Sequence, residues 1–150
     1  MSPSEPSPPR PRPRSRAEFA AFIEVSTRWS DNDAYGHMNN AAYYTFFDTA
    51  VTSWLLQQGL PTSPGETLLF VAETGCRYFS EIGFPDRVTV GLRIARLGSS
   101  SIAYDIALFR NEDDIAAAEG VFVHVHVSAE TRRPVPLPDG LRAILERIVR

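Results

Sequence analysis

With 150 residues, a hydrophobic fraction of 43%, 22% charged residues and a net charge of −3, the chain suffices for one domain with a sizeable core. No apolar run approaches the roughly 20 residues that a membrane-spanning helix needs. All 15 cationic residues are arginine, which excludes Schiff-base lysines, lysine general bases and the phosphate-loop lysine; the single cysteine, Cys76, excludes an internal disulfide and suits a reducing compartment.

The first 16 residues, MSPSEPSPPRPRPRSR, hold six of the twelve prolines and four arginines. Such a stretch cannot bury enough apolar surface to offset its ordering entropy. We expect residues 1–16 to form a disordered tail and residues 17–150 a single domain. The tail has the composition of a proline-rich ligand for a groove-binding domain, against the plainer reading of an inert extension. It has no apolar stretch of the secretory kind, which points to a cytoplasmic protein. The tail sets four arginines against Glu5, and the rest sets 11 arginines against 17 acids. An acidic body argues against nucleic acid as a partner, because phosphate neutralisation needs clustered cations.

Residues 21–29 alternate as a first strand, with Ile23, Val25, Thr27 and Trp29 on one side. From about Asn40 the period changes. Tyr43, Phe46, Phe47, Ala50, Val51, Trp54 and Leu55 share one helical face. Gly59, Leu60 and Pro61 supply a stop, so the spacing predicts a helix about 28 Å long. Four strands are predicted next, over 67–80, 86–97, 100–110 and 116–129. Val88, Val90, Leu92 and Ile94, then Ile102, Tyr104, Ile106 and Leu108, alternate cleanly. Val121, Val123, Val125 and Val127 share a face opposite Phe122, His124 and His126, and those two histidines read as surface or interface residues. Short turns make neighbouring strands antiparallel, and Leu141, Ile144, Leu145 and Ile148 close the chain at helical spacing. The fold class is α+β: one antiparallel sheet wrapped around one long helix.

Between first strand and helix lies SDNDAYGHMNN, Ser30 to Asn40. A calcium loop from Asp31 would need a bidentate glutamate where Ala42 stands. A phosphatase-type aspartate pair needs a parallel sheet. A metal site from Asp31, Asp33 and His37 lacks a second imidazole at ligand spacing, and we expect no metal. The fourth option follows from position. A helix N-terminus presents unpaired N–H groups and partial positive charge. With Asn39 as N-cap, the Asn40 N–H is free to polarise a carbonyl, and a carboxylate seven residues earlier can face the carbonyl carbon. Asp, Asn and Gly before a helix are also ordinary turn and cap residues.

The run RWSDNDAYGHMNNAAYYTFFDTA, Arg28 to Ala50, resembles the 4-hydroxybenzoyl-CoA thioesterase group of hot-dog-fold acyl thioesterases. It is similar also to plant acyl-ACP thioesterases, which share an Asp-x-Asp-x-x-x-His-x-Asn-Asn-x-x-Tyr pattern. The likeness extends more loosely over residues 20–137, including TRRPVPLP near the end. It departs from the plant pattern at Tyr35, where that group has asparagine. The resemblance implies a hot-dog fold and hydrolysis of an acyl-CoA thioester to free acid and CoA. It places the catalytic carboxylate at Asp33, as nucleophile or general base, the carbonyl-holding N–H at Asn40, and a supporting role at His37. It also implies a homodimer or homotetramer with the acyl site at a subunit interface.

The acyl chain is expected near Tyr43, Tyr44 and Phe47, and the nucleotide end of CoA near Arg96, Ser100 and Ser101, with Arg132 and Arg133 as further candidates. No cofactor is expected beyond the CoA carried by the substrate, and no membrane partner. The alternatives are a module that senses acyl-CoA without turnover, an acyl-ACP thioesterase, whose acidic carrier this acidic body would repel, and a hot-dog hydratase, whose local pattern is not found. Cys76 and Glu73 read as strand packing and an edge-facing carboxylate.

Overall fold

A computed structural model describes residues 6–61 and 63–150. The strands are β1 (Ala21–Ser26), β2 (Thr67–Tyr78), β3 (Arg87–Leu97), β4 (Ser101–Arg110) and β5 (Ala118–Ser128), and the helices α1 (Ala42–Gln57) and α2 (Asp139–Glu146). The strands form one sheet in the order β1-β3-β4-β5-β2, with every neighbouring pair antiparallel. The chain therefore crosses after α1 to the far edge, lays down β2, and returns to fill the sheet from β3 to β5.

Alternation decides which face is covered. Val88, Val90, Leu92 and Ile94 on β3, with Ile102, Tyr104, Ile106 and Leu108 on β4, are all at most 2% exposed. They share one core with the apolar face of α1, namely Tyr43, Phe46, Phe47, Ala50, Val51, Trp54 and Leu55. Burying a side chain of this size stabilises by roughly 1.5–3 kcal/mol, so the helix is held by its contact with the sheet. Gly120 makes the close approach possible: a Cβ there would lie 2.4 Å from the Phe47 ring.

The helix is shorter than its sequence suggested. It runs 16 residues from Ala42, about 24 Å, because residues 39–41 form a separate turn. The Asn39 side chain accepts the Ala41 N–H at 2.9 Å, and the Ala42 N–H donates to the Asn39 carbonyl at 2.9 Å. At the other end Gly59 adopts φ +92, and the Leu60 N–H reaches back to the Leu55 carbonyl, a glycine-dependent stop.

Three other expectations change. Trp29 is 75% exposed, because a 3-10 turn over Trp29–Asp31 ends the alternation of β1. On β5 the covered face carries Phe122, His124 and His126, and the histidines are 7% and 4% exposed; Val121, on the outer face, is 46% exposed. Burial pushes His124 down to about 4, so it is neutral in the core. Finally, the expected tail joins the domain from Arg14. Its N–H and guanidinium bind Glu119 and Asp105, and Arg16 donates to the carbonyls of Asn111 and Asp113. Residues 1–5 of that tail lie outside the described residues. Among the described residues, no helix is long and apolar enough to cross a membrane.

Candidate active site

The segment between β1 and α1 is built by its own polar groups. Asp31 is 4% exposed; its carboxylate accepts the Arg28 N–H at 2.7 Å and pairs with the Arg28 guanidinium at 2.9 Å. Its carbonyl accepts the Asn39 N–H. The first aspartate of the run is therefore a structural anchor. From Asp33 the chain makes a tight turn: the Asp33 N–H donates to the His37 carbonyl, the Gly36 N–H to the Asp33 carbonyl, and Gly36 takes φ +85. The turn rests on the segment after β2, where the Met38 N–H donates to the Ile82 carbonyl and the Phe84 N–H to the Asn32 side chain. Gly83 lets the two approach, since a Cβ there would lie 3.3 Å from the Gly36 carbonyl oxygen and the His37 Cα.

This arrangement opens a cavity of about 440 Å³ lined by Asp33, His37, Asn40, Tyr43, Tyr78 and Glu81, among others. Asp31 is not part of its wall. Asp33 Oδ1 accepts the Tyr35 N–H at 2.9 Å, and Oδ2 has no protein partner among the described residues. The Asn40 N–H likewise donates to nothing among the described residues, although its neighbours at Asn39, Ala41 and Ala42 are all engaged. His37 Nδ1 lies 3.4 Å from the Met38 carbonyl oxygen, and Nε2 lies 3.9 Å from Glu81 Oε1. Tyr43 is buried, and that burial pushes its phenol up to about 12, so it remains protonated. The residues that line the cavity thus carry a carboxylate with one free oxygen, an imidazole and an unused backbone donor, the kinds of group that attack on a carbonyl and its oxyanion require.

Not every candidate gathers here. Phe47 is fully buried under the sheet, and Tyr44 packs edge-on against it at 5.7 Å; neither lines the cavity. Arg96, Ser100 and Ser101 lie around the β3–β4 hairpin, whereas the cavity lies beside the start of β3. Across the sheet Tyr78 is level with Val90, so about six residues of strand, roughly 20 Å, separate it from Arg96. Arg132 sits over the Phe70 ring at 5.4 Å. Cys76 is half-buried, and burial pushes its thiol up to about 11, which leaves it a poor nucleophile.

Among the lining residues that sequence reasoning missed are Tyr78 and Glu81. Tyr78 donates to the Asn40 carbonyl at 2.8 Å and packs edge-on against Tyr43 at 4.8 Å. The available signal was weak: a tyrosine at the end of a strand, 38 residues from its partner in sequence.

The family model described as the Thioesterase-like superfamily matches residues 27–145. The PA5185 protein of Pseudomonas aeruginosa strain PAO1 is similar at 46% identity and TM-score 0.88, covering 93% of this chain and 97% of that one. The PA2801 protein of the same species is similar at 29% identity and TM-score 0.79, over 83% and 97%. SAV2348 of Staphylococcus aureus, solved in complex with CoA, shares the fold at 22% identity and TM-score 0.77, over 85% and 82%. The helix-on-sheet architecture is the hot-dog fold of thioesterases, and this chain belongs to the thioesterase-like superfamily.

Proposed function

We propose that this chain hydrolyses an acyl-CoA thioester to a free acid and CoA at the Asp33–Asn40 cavity. The observation that carries this reading is that Asp33, with one carboxylate oxygen free, and Asn40, with its N–H unengaged, line the same cavity. Asp33 Oδ2 takes a proton from water, and the water oxygen bonds to the thioester carbon. The carbonyl oxygen becomes an oxyanion held by the Asn40 N–H. The C–S bond then breaks, the sulfur leaves with the proton, and the acid remains. His37 orients the water, and Glu81 beside it fixes the imidazole. Tethering of Oδ1 by the Tyr35 amide leaves Oδ2 for this work; we assign it general-base action, although one free oxygen would serve a nucleophile equally. Incorporation of solvent oxygen-18 into the Asp33 side chain during a single turnover would reverse that choice.

The binding of CoA by SAV2348 supports a CoA ester as the substrate class. The working unit we propose is a homodimer joined along β2. That strand is a 12-residue sheet edge with Phe70, Val71 and Tyr78 each more than 40% exposed, and a long apolar edge left open invites pairing. Two-fold antiparallel pairing of β2 edges would bring the partner's β3–β4 hairpin to the cavity end of this subunit. That would let the partner subunit's Arg96, partner subunit's Ser100 and partner subunit's Ser101 meet the CoA nucleotide. The direct test is thiol release over a panel of aliphatic and aryl CoA esters, with enoyl-CoA hydration as control. We expect hydrolysis of at least one class; tight acyl-CoA binding without thiol release would favour a sensing module instead.

A further inference from the structure

The backbone around Asn40 can be accounted for peptide by peptide. The Asn39 N–H donates to the Asp31 carbonyl at 2.8 Å, and the Asn39 carbonyl accepts from the Ala42 N–H at 2.9 Å. The next peptide is held at both ends: its N–H, on Ala41, donates to Asn39 Oδ1 at 2.9 Å, and its carbonyl, on Asn40, accepts the Tyr78 phenol at 2.8 Å. Only the Asn40 N–H in this turn is left over, and Asn40 lines the cavity. The two peptides that flank Asn40 share its Cα, so a displacement of that atom tilts both. Such a motion about Asn40 would swing its N–H away from the cavity. The turn blocks it from within on the Asn39 side. Across the cavity the block comes from a side chain of β2.

We infer that Tyr78 is a positioning residue for the reaction, its hydroxyl pinning the Asn40 carbonyl so that the Asn40 N–H stays aimed at the thioester oxygen. This deepens, and rests on, the proposed hydrolysis at the same cavity. The phenol suits the task. Its ring is braced edge-on by Tyr43, at 88° between planes. Burial, followed by the nearby Cys76, pushes its ionisation well above the usual phenol range, so it stays a donor throughout neutral pH. Tyr78 does not touch the reacting atoms in this scheme; it acts through the amide that does.

The test is steady-state kinetics on Tyr78→Phe, which keeps the ring and removes only the hydroxyl, beside Asn39→Ala, which removes the other clamp, and Asp33→Asn. The substrate is whichever CoA ester of the panel has the highest kcat/KM. We expect Tyr78→Phe to lower kcat about tenfold, the loss expected for one such hydrogen bond, with KM within twofold and an unchanged melting temperature. Combining it with Asn39→Ala should cost less than the product of the single effects, because both hold the same peptide. Unchanged kcat in Tyr78→Phe while Asp33→Asn is inactive overturns the inference alone. So does a change confined to KM, or a kcat loss matched by a drop in melting temperature. Full turnover in Asp33→Asn, or no thiol release from any ester, removes the hydrolytic reading and this inference with it.

Discussion

Gly120→Ala tests whether the helix is seated as described, and its cost can be worked from contacts. The added methyl would fall 2.4 Å from Cε2 and Cζ of Phe47 and 3.0 Å from the Gly75 carbonyl oxygen. Ordinary carbon contacts need about 3.5 Å or more, so something must retreat by roughly 1 Å. Phe47 is 0% exposed and cannot swing into solvent. Gly75 belongs to the neighbouring strand, paired one residue out of register with Gly120. The remaining route is to lift α1 off the sheet, which opens space along its whole buried face. Overpacking of this kind costs about 1–3 kcal/mol, and the upper end applies because both neighbours are fixed. Stiffening the unfolded chain by replacing glycine returns about 0.4–1 kcal/mol. A net loss of about 2 kcal/mol lowers the melting temperature by roughly 4–8 °C for a domain of this size. Calorimetry reads the shift, and Phe47→Leu in the same chain should recover part of it by clearing the ring. Because Phe47 lies in the second turn of α1, which begins at Ala42 just past the Asn40 turn, lifting α1 should also lower kcat more than it raises KM. An unchanged melting temperature in Gly120→Ala would refute the seating of Phe47 over position 120.

Two further predictions concern the backbone donor and the buried imidazole. Asn40→Pro deletes the N–H while Asn40→Ala keeps it; the proline variant should lose about 10²–10³ in kcat and the alanine variant little, a contrast that stopped-assay thiol release at saturating ester would show. His124 gives an acid sensitivity whose sign follows from linkage. The unfolded chain protonates it near 6.5 and the folded chain only near 4, so between those values the unfolded state binds more protons and stability falls as pH falls. The loss reaches at most about 3 kcal/mol at pH 4. Denaturant titrations at pH 7 and pH 4.5 should show a smaller drop for His124→Leu than for the parent; an equal drop would contradict the buried neutral state.

Periodicity read the core of the sheet and the face of the helix, because alternation and 3.6-residue spacing follow from burial on one side. It assigned parity on β5 without saying which parity faces in. The two histidines read as surface or interface residues, yet they and Phe122 occupy the covered side. The deciding fact was Gly120, small enough to admit Phe47, and its value depends on a helix 70 residues away in sequence. The start of α1 was misplaced because Asn39 caps a free-standing turn and leaves Ala42 to begin the helix. Of the site, the Asp33–His37–Asn40 cluster is local, so its proximity was legible. Tyr78 and Glu81 reach the cavity only because β2 lands on the far edge of the sheet, a consequence of strand order that no local pattern carries. Arg96, Ser100 and Ser101 failed to join them for the same reason: antiparallel β3 carries its two ends to opposite sides of the molecule.

The proposed hydrolysis depends above all on a base at position 33 acting beside an amide at position 40. The most direct measurement is kcat for Asp33→Asn on the preferred CoA ester, taken with its melting temperature. The side chain keeps its size and can still accept the Tyr35 N–H, so the fold should hold within about 2 °C of the parent, since a change of this kind is worth at most about 0.5 kcal/mol. The account predicts a fall in kcat of about 10²–10⁴, the range general-base catalysis supplies; turnover close to that of the parent in a fully folded variant would contradict it.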